Sequence, residues 1–193
     1  MIAAFVTDFA DQAVVLPLAV AVCLGLLGLG WRRGAAAWGI SVGGVLAVMF
    51  VLKMVVLACG WRTGWSNLVS PSGHTAAAAV VYGGLLALVL PRTLAGTGAA
   101  VLAGGGMALI FGLTRLALHV HTVSDVVVGA SVGVAGAIVM RWLAGANPNR
   151  RMSPRLGLVV LTVMFVFHGH RLEAESRIRW LALDVWPLSL CRK

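Results

Sequence analysis

AAWGISVGGVLAVMFVLKMVVLA, residues Ala36–Ala58, decides the fold. Apart from Lys53 this run carries no charge, and a membrane-crossing helix needs about 20 mainly apolar residues. Five further runs have the same character: Val14–Trp31, Thr75–Leu90, Thr97–Leu116, Val123–Leu143 and Leu156–Gly169. The last is short and runs into His168-Gly169-His170, so a re-entrant or interfacial segment is the alternative there. Strand-type alternation is absent, and backbone in lipid must satisfy its own hydrogen bonds. The sequence therefore predicts an all-α, polytopic transmembrane helical bundle of about six segments. Composition agrees: of 193 residues, 60% are hydrophobic and 11% charged, against about 25% charged in a soluble domain. A soluble globule, a disordered chain and a disulfide scaffold are excluded.

The net charge of +9 has structure within it. Arg32 and Arg33 follow the first run, Arg92 the third, and Arg141, Arg150, Arg151 and Arg155 the fifth, with no acid in those three turns. The positive-inside rule places them on the cytoplasmic side and the N-terminus outside. Six crossings put the C-terminus outside as well. The mixed charge of the tail after Arg171 weakly opposes this, and a sixth segment that fails to cross would return the tail inside. Met1–Gln12 is too short to span. It carries Asp8 and Asp11 where a signal peptide needs basic residues, so a helix at the membrane surface is expected.

Subtracting the arginine turns leaves a second set of polar residues. Lys53 lies at membrane depth, where a charge is costly and a functional role is the default reading, with snorkelling as the alternative. Ser70-Pro71-Ser72-Gly73-His74 precedes the third run. It can present a hydroxyl, an amide and an imidazole at a helix start, or be a turn with a capping serine. Arg115 closes the fourth run, and His121 and Asp125, spaced i and i+4, open the fifth. That spacing lets a carboxylate accept from one imidazole nitrogen and leaves the other free as nucleophile. By parity, Lys53, His74, Arg115 and His121 all reach the same membrane face.

Other features have plainer readings. Gly39-Ile40-Ser41-Val42-Gly43 and Gly129-Ala130-Ser131-Val132-Gly133 allow close helix approach, used within the bundle in preference to a homodimer. Cys59 and Cys191 would share the outer side, which makes a disulfide conceivable, but unpaired thiols are the expected state. A metal reading of His119, His121, His168 and His170 with Glu173 and Glu175 is weak. On a helix His119 and His121 would point about 200° apart. The residues divide into a core, 1–147, and an extra hydrophobic segment with an amphipathic tail, 148–193.

Pro71-Ser72-Gly73-His74, together with Arg115, His121 and Asp125 at their spacing, resembles the type 2 phosphatidic acid phosphatase (PAP2) family. These proteins are membrane relatives of vanadium haloperoxidases and bacterial non-specific acid phosphatases. The resemblance covers Lys53 to Asp125. Thr114 stands where that family has Ser. The family's first motif, Lys followed after six residues by Arg-Pro, is represented only by Lys53. The nearest arginine, Arg62, comes two positions late and is followed by Thr63. The family usually places three spans before its Pro-Ser-Gly-His loop, where two are read here.

The resemblance implies a metal-independent phosphatase without cofactors. His121 would be the nucleophile, Asp125 its support, and His74 the acid and then the base. Lys53, Ser72, Gly73, Arg115 and, as a doubtful member, Arg62 would bind phosphate. A site in a chain with no soluble domain must open at the membrane surface or into lipid. The substrate is therefore expected to be a lipid phosphomonoester or pyrophosphate; the bilayer is the other expected partner, with a homodimer possible. No nucleic acid is expected. The expected location is a bacterial-type inner membrane with the site facing the periplasm. The alternatives are a lipid phosphotransferase on the same scaffold and a non-catalytic degenerate member.

Overall fold

The computed structural model describes residues 1–59, 68–89, 96–145 and 154–185. Arg62, Arg92, Arg150, Arg151 and Cys191 lie outside the described residues. All regular structure among the described residues is helical. In chain order the helices are α1 (Ile2–Asp8), α2 (Gln12–Gly28), α3 (Arg32–Cys59), α4 (Gly73–Ala78), α5 (Gly84–Val89), α6 (Thr97–Ala117), α7 (Val123–Ala144), α8 (Pro154–Phe167) and α9 (Ala174–Trp180). A π-helical turn, Ala79–Gly83, joins α4 to α5, and another, Leu181–Val185, follows α9.

Four stretches are long and apolar enough to cross a membrane: Ile2–Gly28, Arg32–Cys59, Thr97–Ala117 and Val123–Ala144. Gly73–Val89 and Pro154–Phe167 are shorter apolar helices. The total agrees with about six segments. Outward-facing Ile40, Val51, Leu102, Leu109 and Leu161 are exposed, as lipid-facing residues should be.

Local chemistry fixes the helix ends. The Asp11 carboxylate accepts from the Ala13 amide at 2.9 Å and caps α2. At its other end α2 closes with Gly30 N–H donating to Leu27 O and Trp31 N–H to Leu26 O, a Schellman turn that needs the left-handed φ of Gly30 (76°). The end of α6 repeats this pattern with His119 in the glycine position, at φ 53°. Its amide donates to Leu116 O, and that of Val120 donates to Arg115 O. The reversal carries the chain directly from Arg115 to His121.

Packing follows the small residues on one of the two predicted faces. A Cβ on Gly133 would stand 2.5 Å from the Ala76 carbonyl oxygen, and one on Gly129 would collide with the Ser72 carbonyl. This brings α7 against the start of α4, the use within the bundle that the sequence suggested. Gly39 and Gly43 differ: nothing lies within 4 Å of a Cβ at either, so that face of α3 is open. The core between the helices holds Trp38, Leu18, Val22, Val80, Val81 and Met140, all fully buried. The Trp38 indole donates to Ala19 O at 2.9 Å.

Arg32 and Arg33 at the start of α3, Arg141 near the end of α7 and Arg155 at the start of α8 gather at one end of the bundle. Arg33 donates through Nε to Leu143 O at 2.7 Å, and Arg141 donates to Gly145 O. α8 packs antiparallel along α2. Leu156 meets Gly25 near the arginine end, while His168 sits between Phe5 and Phe9 at the other, with ring centroids 4.4 and 4.3 Å apart. The sixth segment therefore traverses the bundle, and Arg171–Val185 lies at the end opposite the arginines. α1 packs on α6, and the Phe9 carbonyl accepts from Tyr82 Oη, so the N-terminal helix is part of the bundle. Cys59 is disulfide-bonded, which corrects the expectation of an unpaired thiol there; Cys23 is free.

Candidate active site

The site lies where six chain segments meet at one end of the bundle. They are the start of α2, the end of α3, the loop before α4, the end of α6, the start of α7 and the segment after α8. Asp125 organises it. Its residue is 1% exposed, and it carries more contacts than the sequence suggested. Oδ1 accepts from the Val69 and Ser70 amides at 3.0 and 2.9 Å, and Oδ2 accepts from the Thr122 amide at 3.0 Å. The Asp125 amide donates back to Thr122 Oγ1, completing a capping box, and its carbonyl accepts from the Ser72 amide at 2.9 Å. One buried carboxylate thus welds the Ser70–His74 loop to the start of α7.

His121 sits just before α7, one residue ahead of the capping Thr122. Its Nδ1 is 3.6 Å from Asp125 Oδ2, within ion-pair range but too long for a hydrogen bond. Its side chain is 4% exposed. Burial first, then the charges of Arg115 and Lys53, hold its pKa below the ordinary histidine value, so the ring is neutral at pH 7. A neutral imidazole with Nδ1 turned toward a carboxylate leaves Nε2 as the nucleophilic nitrogen.

Lys53 is 4% exposed, within the last turns of α3. Its Nζ donates to Ser70 Oγ at 3.0 Å and to the Glu175 carboxylate, and a Cβ on Gly73 would stand 3.5 Å from its Cε. The lysine is therefore a buried, partnered charge facing the loop. Arg115 donates through Nη1 to Thr7 Oγ1 at 3.3 Å, while its buried Nε has no hydrogen-bond partner. His74 Nε2 is 3.8 Å from Asp11 Oδ2. A cavity of about 460 Å³ opens onto Lys53, Gly73, His74 and Arg115, with Asp11 and Glu175 on its wall.

One expected phosphate contact, Ser72, and the hydroxyl of Thr114 are engaged elsewhere. Ser72 is fully buried, accepts from the Thr75 amide as the cap of α4, and shares a 2.9 Å hydrogen bond with Thr75 Oγ1. It builds the loop and does not line the cavity. The Thr114 hydroxyl, which stands in for the family's Ser, donates to the Phe111 carbonyl of its own helix at 2.7 Å. Three acids absent from the motif reading border the site. Asp11 reaches His74. Asp8 pairs with Arg171 through two hydrogen bonds, at 3.0 and 3.2 Å. Glu175 holds Lys53 and Ser70. Their polarity on apolar or surface segments was the only sequence signal, since each of these partners is more than 60 residues away.

A bundle of apolar helices carrying a buried lysine, a buried histidine side chain and a partly buried arginine around a Pro-Ser-Gly-His loop defines a membrane protein of the phosphatase type. The chain belongs to the PAP2 superfamily, whose model matches residues 13–148. Members of this superfamily generally hydrolyse phosphate esters. Among curated relatives, an uncharacterized 22.5 kDa protein in the cps region of Klebsiella pneumoniae is 28% identical over 193 aligned positions, 95% of this chain and 91% of the relative. No solved structure matches.

Proposed function

We propose that this protein hydrolyses a lipid phosphomonoester or pyrophosphate through a phosphohistidine on His121. The observation that carries the reading is the convergence of Lys53, His74 and Arg115, from three helix ends, on one cavity, with His121 buried beside Asp125 at the start of the adjoining α7. His121 Nε2 attacks phosphorus and forms an N–P bond as the ester P–O bond breaks. The leaving oxygen takes its proton from His74. Water, deprotonated by His74, then attacks the phosphohistidine, releasing phosphate and restoring His121. Lys53, Arg115 and the Gly73 amide bind the phosphoryl oxygens as charge shifts in the transition state. Burial first, then the charges of Arg115, His121 and Lys53, lower the His74 pKa to about 3, so protonation of His74 as the acid requires the negative charge of the bound substrate.

Two features favour an amphiphilic substrate. The site lies at the end of a lipid-embedded bundle. An apolar groove lined by Phe5, Phe9, Leu161, Met164 and Phe165 also runs along α1 and α8 beside it. The site is opposite the arginine turns, so it faces outward by the positive-inside rule. Purified protein should release free phosphate from a long-chain lipid phosphate without an added acceptor, and His121→Ala should reduce release to background. Full release by the His121→Ala variant would refute the phosphohistidine route. Equal turnover of glycerol phosphate would refute lipid selectivity.

A further inference from the structure

The anion-binding end of Lys53 is already occupied. The Glu175 carboxylate takes Lys53 Nζ on one oxygen and Ser70 Oγ, at 2.6 Å, on the other. The two donors are themselves joined at 3.0 Å. A carboxylate spanning a buried ammonium and a hydroxyl presents the oxygen pattern of two phosphoryl oxygens. We propose that residues 171–178 form a lid whose Glu175 is the resident anion of the phosphoryl site, and that substrate enters by displacing it. The proposal rests on the phosphatase reading for the identity of the incoming anion.

Three independent features support a closed form. The His121 side chain is 4% exposed and does not line the cavity, so an incoming phosphorus has no open path to it in this arrangement. Arg115 Nε is buried without a hydrogen-bond partner, a second anion-seeking group left over when Glu175 satisfies only Lys53. The tail is also latched at its base. Arg171 pairs with Asp8, and the Leu172 amide donates to Asp11 Oδ1 at 2.9 Å. Beyond that latch Glu175 is 54% exposed, so it can leave into water at modest cost. Burial alone would raise the Glu175 carboxyl, but Lys53, the hydrogen bonds from Lys53 and Ser70, and His121 hold it below its usual value, so it is ionised when seated. The lid comes from the segment after the family-matched region, residues 13–148. The chain has thus added an acid opposite the one motif whose second basic residue is out of register.

The test is direct binding of inorganic phosphate and orthovanadate by calorimetry to purified wild type, Glu175→Gln and Glu175→Asp in the same lipid nanodiscs. Removing a half-exposed competing carboxylate should tighten phosphate binding about fivefold in Glu175→Gln. Glu175→Asp, which keeps the charge but is too short to span Lys53 and Ser70, should tighten it less. Lys53→Met on the Glu175→Gln background should abolish the gain. Diethyl pyrocarbonate should modify His121 faster in Glu175→Gln, located by mass spectrometry. Unchanged or weaker phosphate binding in both Glu175 variants would overturn the lid, even if the wild type hydrolyses lipid phosphates. Tighter binding with no hydrolysis by any form would uphold the lid and refute the phosphatase reading instead. A lower kcat with unchanged phosphate affinity in Glu175→Gln would overturn the lid by making Glu175 a proton-transfer group.

Discussion

Asp125→Asn tests whether one carboxylate holds the site together. The side chain is isosteric, so packing is preserved and only hydrogen-bond polarity changes. The wild-type carboxylate accepts three backbone amides, from Val69, Ser70 and Thr122, in a residue 1% exposed. Hydrogen bonds to a charged group contribute about 1.5–3 kcal/mol each, against about 1 for a neutral pair. In its better orientation asparagine keeps Oδ1 toward Val69 and Ser70, and each of those bonds weakens by about 1 kcal/mol. Its NH₂ then faces the Thr122 amide, donor against donor, at a further cost of about 1–3 kcal/mol. A new donation from Nδ2 to His121 Nδ1, where the gap is 3.6 Å, recovers at most about 1 kcal/mol. The net expectation is a loss of about 2–4 kcal/mol, with the Ser70–His74 loop released first. Reversible unfolding in bicelles measures the loss, and hydrogen exchange at Ser70 and Ser72 reports the loop. His121→Ala, which removes no backbone acceptor, should leave both near wild type while abolishing phosphate release. A stability change under about 0.5 kcal/mol in Asp125→Asn, with unaltered exchange at Ser70, would refute this account of the site.

Gly133→Ala and Gly39→Ala separate the two small-residue patterns. The first forces a Cβ to within 2.5 Å of Ala76 O and should cost about 1–3 kcal/mol, whereas the second meets nothing and should be neutral or slightly stabilising. Equal effects, read by the same unfolding assay, would contradict the packing of α7 on α4. The pH–rate profile should be bell-shaped, because His121 must be neutral to attack and His74 protonated to donate; burial, then Arg115, lower the His74 pKa to about 3, so the basic limb of kcat reports how far the charge of bound substrate raises it. His121 has a folded pKa below its unfolded value of about 6.5. The acid limb of kcat/KM must therefore lie below that pH. For the same reason the unfolded chain takes up the proton first, so stability contributed by keeping His121 neutral is present above about pH 6.5 and is lost as pH falls toward the folded pKa. An acid limb centred above pH 6.5 would contradict the assignment of His121 as the buried nucleophile.

Much of the architecture was legible because it follows from local rules. Apolar length gave the segments, and arginine-rich turns gave their parity. The Thr122–Asp125 capping box that starts α7 is equally local, but the sequence reading gives Asp125 only as the partner of His121. The Pro-Ser-Gly-His loop and the His121–Asp125 spacing pointed to residues that the fold brings to one end of the bundle. What stayed hidden depends on contacts that no local rule encodes. Ser72 had two readings for one hydroxyl, and the helix start takes it. Two small-residue patterns looked alike, yet only the one on α7 meets a neighbour, since helix rotation is set by the whole bundle. Parity placed Cys59 on the outer side, but parity says nothing of distance, and its bonded state emerged only from the fold.

Glu175 shows the limit most clearly. On its own segment it is one acid among Glu173, Arg177 and Arg179, the composition of an ordinary solvated turn. Its meaning depends on α8 running antiparallel to α2, which returns the chain to the end where Lys53 and Ser70 emerge. The same return brings Arg171 to Asp8 and Leu172 to Asp11, so the N-terminal turn and the tail close over the cavity from opposite sides. A buried lysine in a membrane protein needs a counter-charge whenever its ligand is absent, since an isolated ammonium at that depth is costly. A tethered carboxylate meets that need without occupying the site irreversibly, because its half-exposed end exchanges with water more cheaply than a fully buried partner would. On this view the acid in the tail and the lysine of the first motif are two halves of one arrangement, and removing either should change how the site binds phosphate.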